Sequence, residues 1–397
     1  MIRNWSLGLV AAIVAAVPAA AGNEIYGTIT TTGGRVLTGP IRWDNNENFW
    51  NDRLDTSKIE KVKNEDRGFR ISLFGVTIGG ADSHTENQLS IEFGHLRSIR
   101  RTQPPGKGAF LTLRTGEIIE VRTDHGDLGP RMRGIQIQDP AEGGVELDWR
   151  ELKTVEFVKN PEAGGGRDGQ RLYGSMFTKA GTFTGYINWD RDESMLDDVL
   201  DGYEDGEERE VAFRRIRAIE PGRNEATVTL TDDSKMVLDG TNDVNADNRG
   251  IVVNVGYAIV QARWRDVRKV EFRPAPNSPG FTAYDGGRRL RGTVILRTGS
   301  RITGEIIWDR DEKYTWEVLD GDADGLDYSV SFIEIRSIRR LSDSSEVKLR
   351  SGKTLVLSGS NDVDDDHRGL VVTGDDGAET DLDWVKIDVV EFEPGGP

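Results

Sequence analysis

The nine residues GEIIWDRDE, Gly304 to Glu312, recur as GYINWDRDE from Gly185 and more loosely as GPIRWDNNE from Gly39. Residues two apart in a strand share a face, so the glycine, isoleucine and tryptophan of each copy point the same way. These three residues are the same in every copy, whereas the residues between them vary. The pattern predicts a core position for the tryptophan of each copy, Trp43, Trp189 and Trp308.

Two further landmarks recur after each copy. An Arg-Gly pair begins at Arg133, Arg249 and Arg368, and the pattern Trp-x-x-(Leu/Val/Ile)-x-x-Val-Glu-Phe begins at Trp149, Trp264 and Trp384. Recurrence at a fixed period is the signature of a repeat protein. The sequence therefore predicts three tandem repeats at residues 22–158, 172–273 and 290–397, separated by linkers at 159–171 and 274–289. An insertion, residues 59–87, is present only in the first repeat, and its GFRISLFGVTIGG segment predicts a hairpin.

Each repeat is itself written in two halves. VILRTGSRITGEI from Val294 is echoed by VKLRSGKTLVLSG from Val347, 53 residues later. Both halves read as short alternating strands broken by Gly, Asp and Asn, with no sustained helical period, which predicts an all-β protein.

The segment VILRTGSRITGEIIWD resembles the first two strands of Sm-like proteins, and the half-repeat as a whole resembles a small SH3-like barrel. The resemblance implies that each repeat contains two small β-barrels. Sm-like proteins bind RNA through an Asp-x-x-Met-Asn type of loop, but here Trp308-Asp309 is followed by Arg310, Asp311 and Glu312. RNA binding is therefore not implied for this chain.

The N-terminal segment predicts that the protein is exported. Residues 1–21 combine Arg3, an apolar run and Ala19-Ala20-Ala21, as in a secretory signal peptide, and no second apolar run of spanning length follows. The chain has no cysteine, which excludes disulfides, thiolate chemistry and a lipoprotein anchor. We expect a periplasmic or extracellular protein of a Gram-negative bacterium, without a transmembrane segment after cleavage. A formal charge of −17 argues against nucleic acid as a partner.

The aspartate that follows each core tryptophan, Asp44, Asp190 or Asp309, is expected to hydrogen-bond backbone amides of its own turn. The alternative is a cation site, because further carboxylates follow it and hard cations bind several oxygen ligands. In the third copy these are Asp311, Glu312 and Glu317, in the second Asp192, Glu193 and Asp198, and in the first Glu47 and Asp52.

Two other acidic loops alternate as calcium-binding loops do. The first, DGDADGLD, offers Asp320, Asp322 and Asp324. The second, NDVDDDHRG, offers Asp362, Asp364 and Asp366, and its counterpart in the second repeat offers Asp243, Asn245 and Asp247. Calcium is the one cofactor that the sequence suggests, and solvated acidic turns are the alternative.

The sequence favours a non-catalytic role. The four histidines occupy no equivalent place in two copies, and no His-Glu-x-x-His or similar metal motif occurs. We expect a binding or scaffolding protein of the cell envelope, which uses repeated loops for multivalent contact with an envelope protein or a glycan. A carbohydrate-active enzyme or its carbohydrate-binding domain, and a purely structural envelope spacer, are the alternatives. The sequence predicts neither the ligand nor the oligomeric state.

Overall fold

A computed structural model describes residues 23–59, 72–73, 76–77, 87–102, 108–123, 126–161 and 170–394. The predicted signal peptide and most of the insertion lie outside this range. Within it the protein is all-β, as the sequence predicts, and its helical segments are single 3-10 turns. The described residues contain no helix long and apolar enough to cross a membrane.

The strands of the first repeat form one antiparallel sheet, apart from a separate pair of two-residue strands inside the insertion. The strands of the sheet are β1 (Tyr26–Thr31), β2 (Val36–Trp43), β3 (Arg53–Lys58), β6 (Asn87–Glu92), β7 (Leu96–Arg101), β8 (Gly108–Leu113), β9 (Ile118–Arg122), β10 (Ile135–Asp139), β11 (Gly143–Leu147) and β12 (Leu152–Phe157). The separate pair is β4 (Ser72–Leu73) and β5 (Val76–Thr77).

The other two sheets are also antiparallel. The second repeat supplies β13 (Tyr173–Thr178), β14 (Thr182–Asn188), β15 (Val199–Glu204), β16 (Glu207–Ala212), β17 (Ile216–Pro221), β18 (Glu225–Leu230), β19 (Lys235–Asp239), β20 (Ile251–Asn254), β21 (Ala258–Ala262) and β22 (Val267–Phe272). The third repeat supplies β23 (Arg291–Leu296), β24 (Arg301–Ile307), β25 (Val318–Ala323), β26 (Leu326–Ser331), β27 (Ile335–Arg340), β28 (Ser345–Leu349), β29 (Thr354–Leu357), β30 (Leu370–Thr373), β31 (Glu379–Leu382) and β32 (Ile387–Phe392).

A short 3-10 turn precedes the last strand of each half-repeat. Each turn leaves one aromatic residue buried, as Phe332 and Trp384 are in the third repeat. These turns are Phe93–His95, Trp149–Glu151, Phe213–Arg215, Trp264–Asp266, Phe332–Glu334 and Trp384–Lys386. Two further 3-10 turns, Asn242–Val244 and Phe281–Ala283, lie elsewhere in the described residues.

The two halves of each repeat exchange strands. In the second repeat the order is β16-β15-β19-β18-β17-β22-β13-β14-β20-β21, so the hairpins β13–β14 and β15–β16 of the first half pair with β20 and β19 of the second. The first sheet has the same order of corresponding strands, β6-β3-β9-β8-β7-β12-β1-β2-β10-β11. None of the three sheets closes on itself. The prediction of two separate small barrels in each repeat is therefore not confirmed.

The second and third repeats share a sheet. The hairpin β25–β26 of the third repeat continues the second sheet through antiparallel pairing of β26 with β21. Among the described residues, the strand pairing of this hairpin with its own repeat is limited to an isolated bridge between Asp322 and Ser358. As a consequence, one hydrophobic core runs through both repeats. A second core lies in the first repeat and also includes Tyr284, Tyr314 and Trp316.

Candidate functional site

The Trp-Asp-x-x-Glu corner is a tight turn closed by two backbone hydrogen bonds. Trp308 N donates to Glu312 O at 2.8 Å, and Glu312 N donates to Trp308 O at 3.0 Å. Asp309 and Arg310 have φ values of 43° and 63°, in the left-handed region. Aspartate tolerates this region better than most residues, which is one reason for an aspartate directly after each tryptophan. The other two corners have the same backbone conformation.

The aspartate holds a distant loop rather than its own turn, which differs from the expected contact. Asp309 is fully buried, and its carboxylate accepts hydrogen bonds from the backbone N–H of Arg368, from Arg368 Nε at 2.8 Å and from Asn361 Nδ2. Asp190 binds Arg249 and Asn242 in the same way. The recurring Arg-Gly pair is thus the partner of the recurring Trp-Asp pair.

The tryptophan of each corner is fully buried. The Nε1 atoms of Trp43, Trp189 and Trp308 donate to the carbonyl oxygens of Asp127, Asp243 and Asp362, at 2.8, 2.9 and 3.1 Å. Such a partner is what a buried indole N–H needs. Each ring also packs against the tryptophan of the later landmark, with centroid distances of 6.5 Å to Trp149, 6.0 Å to Trp264 and 5.3 Å to Trp384.

The glutamate that ends each corner lies beside a second carboxyl group. Burial raises the pKa of Glu193 to about 8, and the negative charge of Asp243 adds to the rise. Burial likewise raises the pKa of Glu312 and Glu47 well above the usual value, with Asp362 and Asp127 as the next largest causes. Each corner therefore favours a neutral glutamic acid, or a cation close to the carboxyl pair.

The second carboxyl group of each pair joins two of the acidic loops. Asp362 Oδ2 accepts the backbone N–H of Asp320 at 2.8 Å. The equivalent bonds, from Asp201 N to Asp243 Oδ2 and from Asp55 N to Asp127 Oδ2, measure 2.9 and 2.7 Å.

Nine residues after each core tryptophan a carboxylate binds both backbone and cation. One oxygen of Asp52 accepts the N–H groups of Asn48 and Phe49, at 2.7 and 2.9 Å. Its other oxygen accepts from Arg171, a residue next to the second repeat, at 2.5 Å. The equivalent Asp198 accepts two backbone N–H groups at 2.8 Å and lies 3.7 Å from Arg42 of the first repeat.

The third of these carboxylates, Glu317, binds Lys58 of the first repeat. Lys58 Nζ forms an ion pair with Glu317 and donates to Asp311 Oδ1 at 2.7 Å and to Asp311 O at 3.0 Å. The lysine side chain is 7% exposed and both carboxylates are 4% exposed. Burial alone would lower the pKa of Lys58, but Glu317 and Asp311 raise it above the ordinary value. The cations at these corners are thus basic side chains from a neighbouring repeat.

A cavity of about 530 Å³ lies where the three repeats meet. Its wall includes the corner glutamates of the first and third repeats, Glu47 and Glu312, and polar residues of the second repeat. Among the latter are Tyr186, Asn188, Asn254 and Gln261. Glu193, the corner glutamate of the second repeat, is not part of the wall. The cavity is thus a shared feature that no single repeat could form.

Most of the residues singled out as calcium ligands are bound to the chain itself. Asp364 Oδ1 accepts the N–H of Asp366 at 2.9 Å, Asn245 Oδ1 that of Asp247 at 2.7 Å, and Asp320 Oδ1 the hydroxyl of Ser329 at 2.6 Å. Asp324 occupies the left-handed turn between β25 and β26, and Asp322 lies at the bridge to Ser358. In the described part of the chain, no three Asp, Glu, His or Cys side chains are grouped so that they could hold a metal ion.

Sequence reasoning missed Lys58, Arg171 and the cavity. Lys58 lies four residues after Leu54, and its equivalents four residues after Leu200 and Leu319 are Glu204 and Ala323. The signal available in the sequence was that Lys58 is basic, whereas the equivalent residues of the other two repeats are acidic or neutral. Comparison of the chain with protein-family models, curated proteins and solved structures gave no match.

Proposed function

We propose that the chain is an exported, non-catalytic binding protein of the bacterial envelope, in which three repeats surround one polar ligand cavity. The observation that carries this proposal is the cavity of about 530 Å³ with residues of all three repeats in its wall. Its volume falls within the range of roughly 300–1,000 Å³ that is usual for small-molecule sites.

Contacts between each pair of repeats support a cavity of fixed shape. Arg171 joins the first two repeats through Asp52, pairing of β21 with β26 joins the second and third, and Lys58 joins the first and third. Arg171 also lies 4.3 Å from the ring centre of Phe49 and 4.1 Å from that of Tyr186. A site with fixed walls loses less conformational entropy when a ligand binds.

The wall suits a small polar ligand. Asn188, Asn254, Gln261 and Ser329 offer amide and hydroxyl groups, which can both donate and accept hydrogen bonds. This chemistry also suits a sugar, so a carbohydrate-binding role is compatible with the same site. The spacer alternative expects an elongated particle, and the three mutual contacts between repeats favour a compact one.

A carbohydrate-active enzyme is the second candidate, and one observation favours it. Glu312 lines the cavity beside Asp362, and its pKa is raised by burial and by that neighbour. A protonated carboxyl near a second carboxyl is the arrangement that glycoside hydrolysis requires. Hydrolysis of a polysaccharide panel that is lost in Glu312→Gln, but retained in Glu193→Gln, would establish this candidate in place of the binding role.

Two finer elements belong to the same proposal. We infer that each repeat arose from two Sm-like or SH3-like half-repeats, which exchanged strands instead of forming separate barrels. Calcium would add rigidity to the acidic loops around Asp243, Asp320 and Asp362. A thermal unfolding midpoint that rises with calcium and falls with chelator supports this, and a midpoint that ignores both removes calcium from the proposal. A ligand that binds only the folded state, at a concentration 100 times its dissociation constant, adds about 2.7 kcal/mol to the free energy of unfolding.

The ligand site is tested with a variant that fills the cavity. Asn188→Trp places an indole in the wall, and Asn188→Ser is the matched control because it removes the amide without filling space. We expect a panel of sugars, amino acids and amines to contain compounds that raise the unfolding midpoint of the parent and the serine variant but not of the tryptophan variant. Shifts that persist in Asn188→Trp would place the ligand elsewhere.

A further inference from the structure

The wall of the central cavity is strongly acidic. It contains nine carboxyl groups and four guanidinium groups. Three of the guanidinium groups have carboxylate partners: Arg171 binds Asp52, and Arg53 and Arg368 pair with Glu92 and Asp309 outside the wall. The ammonium group of Lys58 also binds two of the nine carboxylates, Asp311 and Glu317. An interior with this excess of negative charge favours a ligand of positive charge.

Two carboxylate oxygens in this wall lack a partner. Glu312 is 9% exposed, and its Oε2 atom is buried without any hydrogen bond from the described residues. Glu47 Oε2 is in the same state in the first repeat. A buried polar atom without a partner costs roughly 1–3 kcal/mol, so a donor in the cavity would recover this loss.

The protein itself shows which kind of cation the third corner accepts. Lys58 brings a primary ammonium to Asp311 and Glu317, one residue before and five residues after Glu312, and it contacts three oxygen atoms there. Three acceptors match the three N–H groups of an ammonium ion. A metal ion is a poorer match, because the described acids provide no group of three suitable ligands.

The two unpartnered glutamates belong to facing parts of one cavity. The backbone N–H of Asp320 binds Asp362, the second carboxyl group beside Glu312. Asp320 is also close enough to Asp55 of the first repeat for their charges to interact. The backbone N–H of Asp55 in turn binds Asp127, the second carboxyl group beside Glu47. The two carboxyl pairs, one from the first repeat and one from the third, therefore line the same cavity.

We propose that the central cavity binds a small aliphatic diamine, with one ammonium group at Glu312 and the other at Glu47. The inference rests on the proposed function and specifies the ligand class of the same site. The methylene chain between the two ammonium groups would lie along Val252, Ile259 and the ring of Tyr186, which supply the apolar part of the wall.

The test is isothermal titration of the purified chain, residues 22–397, with 1,4-diaminobutane. Longer and shorter diamines report the separation of the two ends, and 1,4-butanediol is the uncharged analogue. We expect saturable binding of a diamine and none of the diol. Glu312→Gln and Glu47→Gln should each weaken binding about tenfold to a hundredfold, since each removes a charge-assisted hydrogen bond.

Glu193→Gln is the matched control, because it changes the same corner position outside the cavity wall and should bind as the parent does. Absence of saturable diamine binding, equal binding of the diol, or an equal loss in Glu193→Gln would overturn the inference. If Glu312→Gln fails to fold, Asn188→Trp keeps every carboxyl group and must abolish diamine binding. Binding of an uncharged sugar without any diamine binding would overturn this inference and leave the proposed function standing.

Discussion

At the scale of single residues, each member of the Trp-Asp-x-x-Glu motif has a different task. The tryptophan fills the core, the aspartate holds the Arg-Gly loop 59 residues later in the second and third copies, and the glutamate lies beside another carboxyl group. The core position of Trp308 could be predicted from alternation alone. The partner of Asp309 could not, because a local pattern carries no information about which distant loop returns to it.

The Glu193 pair gives the fold a dependence on pH. The pKa of Glu193 rises from an ordinary value of 4.5 to about 8 on folding, so the folded state binds the proton more tightly. This contribution to the free energy of unfolding is fully present below pH 4.5 and is lost as the pH rises to about 8. We expect Glu193→Gln, which mimics the protonated form, to be more stable than the parent above pH 8.

Thermal unfolding of the two proteins across this range measures the effect. Below pH 4.5 the two midpoints should converge, since the parent then carries the proton itself. A midpoint difference that does not change with pH would contradict the assignment of the raised pKa to this group.

At the scale of elements, alternation predicts strands well and their pairing poorly. In β2 every second residue is buried, from Leu37 through Trp43, as the GPIRW pattern indicates. Yet β14 pairs with β20 and β15 with β19, across the two halves of a repeat. The two halves have similar sequences, so a strand finds an equally suitable partner in either half, and sequence alone does not distinguish these pairings.

The insertion can be replaced by the short turn that joins the equivalent strands of the second repeat. Lys58 pairs with Asn87 at the end of β3 and β6, as Glu204 pairs with Glu207 in the second repeat, where Asp205-Gly206 forms the turn. Replacing residues 59–86 by Asp-Gly should therefore leave the circular dichroism spectrum and the unfolding midpoint nearly unchanged. Because the insertion is the one segment that the other repeats lack, we propose that it contacts an envelope partner, and we expect capture of that partner to be lost.

A shortened chain that unfolds at a much lower midpoint would mean that the insertion supports the fold. Capture that survives in a folded variant would move the partner surface to another part of the molecule.

At the scale of the whole molecule, carboxylates that suggested a cation site form ion pairs that connect the repeats. Lys58 and Arg171 enter corners of other repeats and bind the carboxylates there. The repeat pattern could be predicted from sequence, because it is written three times. The contacts between repeats could not, because the repeat pattern does not specify which distant carboxylate a basic side chain reaches. Lys58 has no basic counterpart in the other copies, and Arg289, the counterpart of Arg171 in the third repeat, pairs with Glu117 instead.

Loss of Lys58 should open the contact between the first and third repeats. Lys58→Met keeps the length of the side chain but leaves Asp311 and Glu317 buried without their cation, which costs about 3–5 kcal/mol for a pair of this kind. Arg42→Met removes the 3.7 Å pair with Asp198, where both side chains are partly exposed, and should cost less than about 1 kcal/mol.

Chemical denaturation of both variants gives the two costs, and small-angle scattering shows whether Lys58→Met expands the particle. Equal effects of the two substitutions would show that Lys58 is no more important than a surface pair.

The exchange of strands between halves sets an order on how the protein can be made. As the chain is synthesised from its N-terminus, β14 and β15 are made before the strands of the second half with which they pair. In the same way, β21 is made before its partner β26 of the next repeat. Until those strands arrive, open sheet edges are available for wrong partners, including the similar strands of another repeat. A nascent chain of this design therefore needs protection from misassembly until its last repeat has emerged. Neither the second nor the third repeat can be removed without leaving the sheet that they share incomplete.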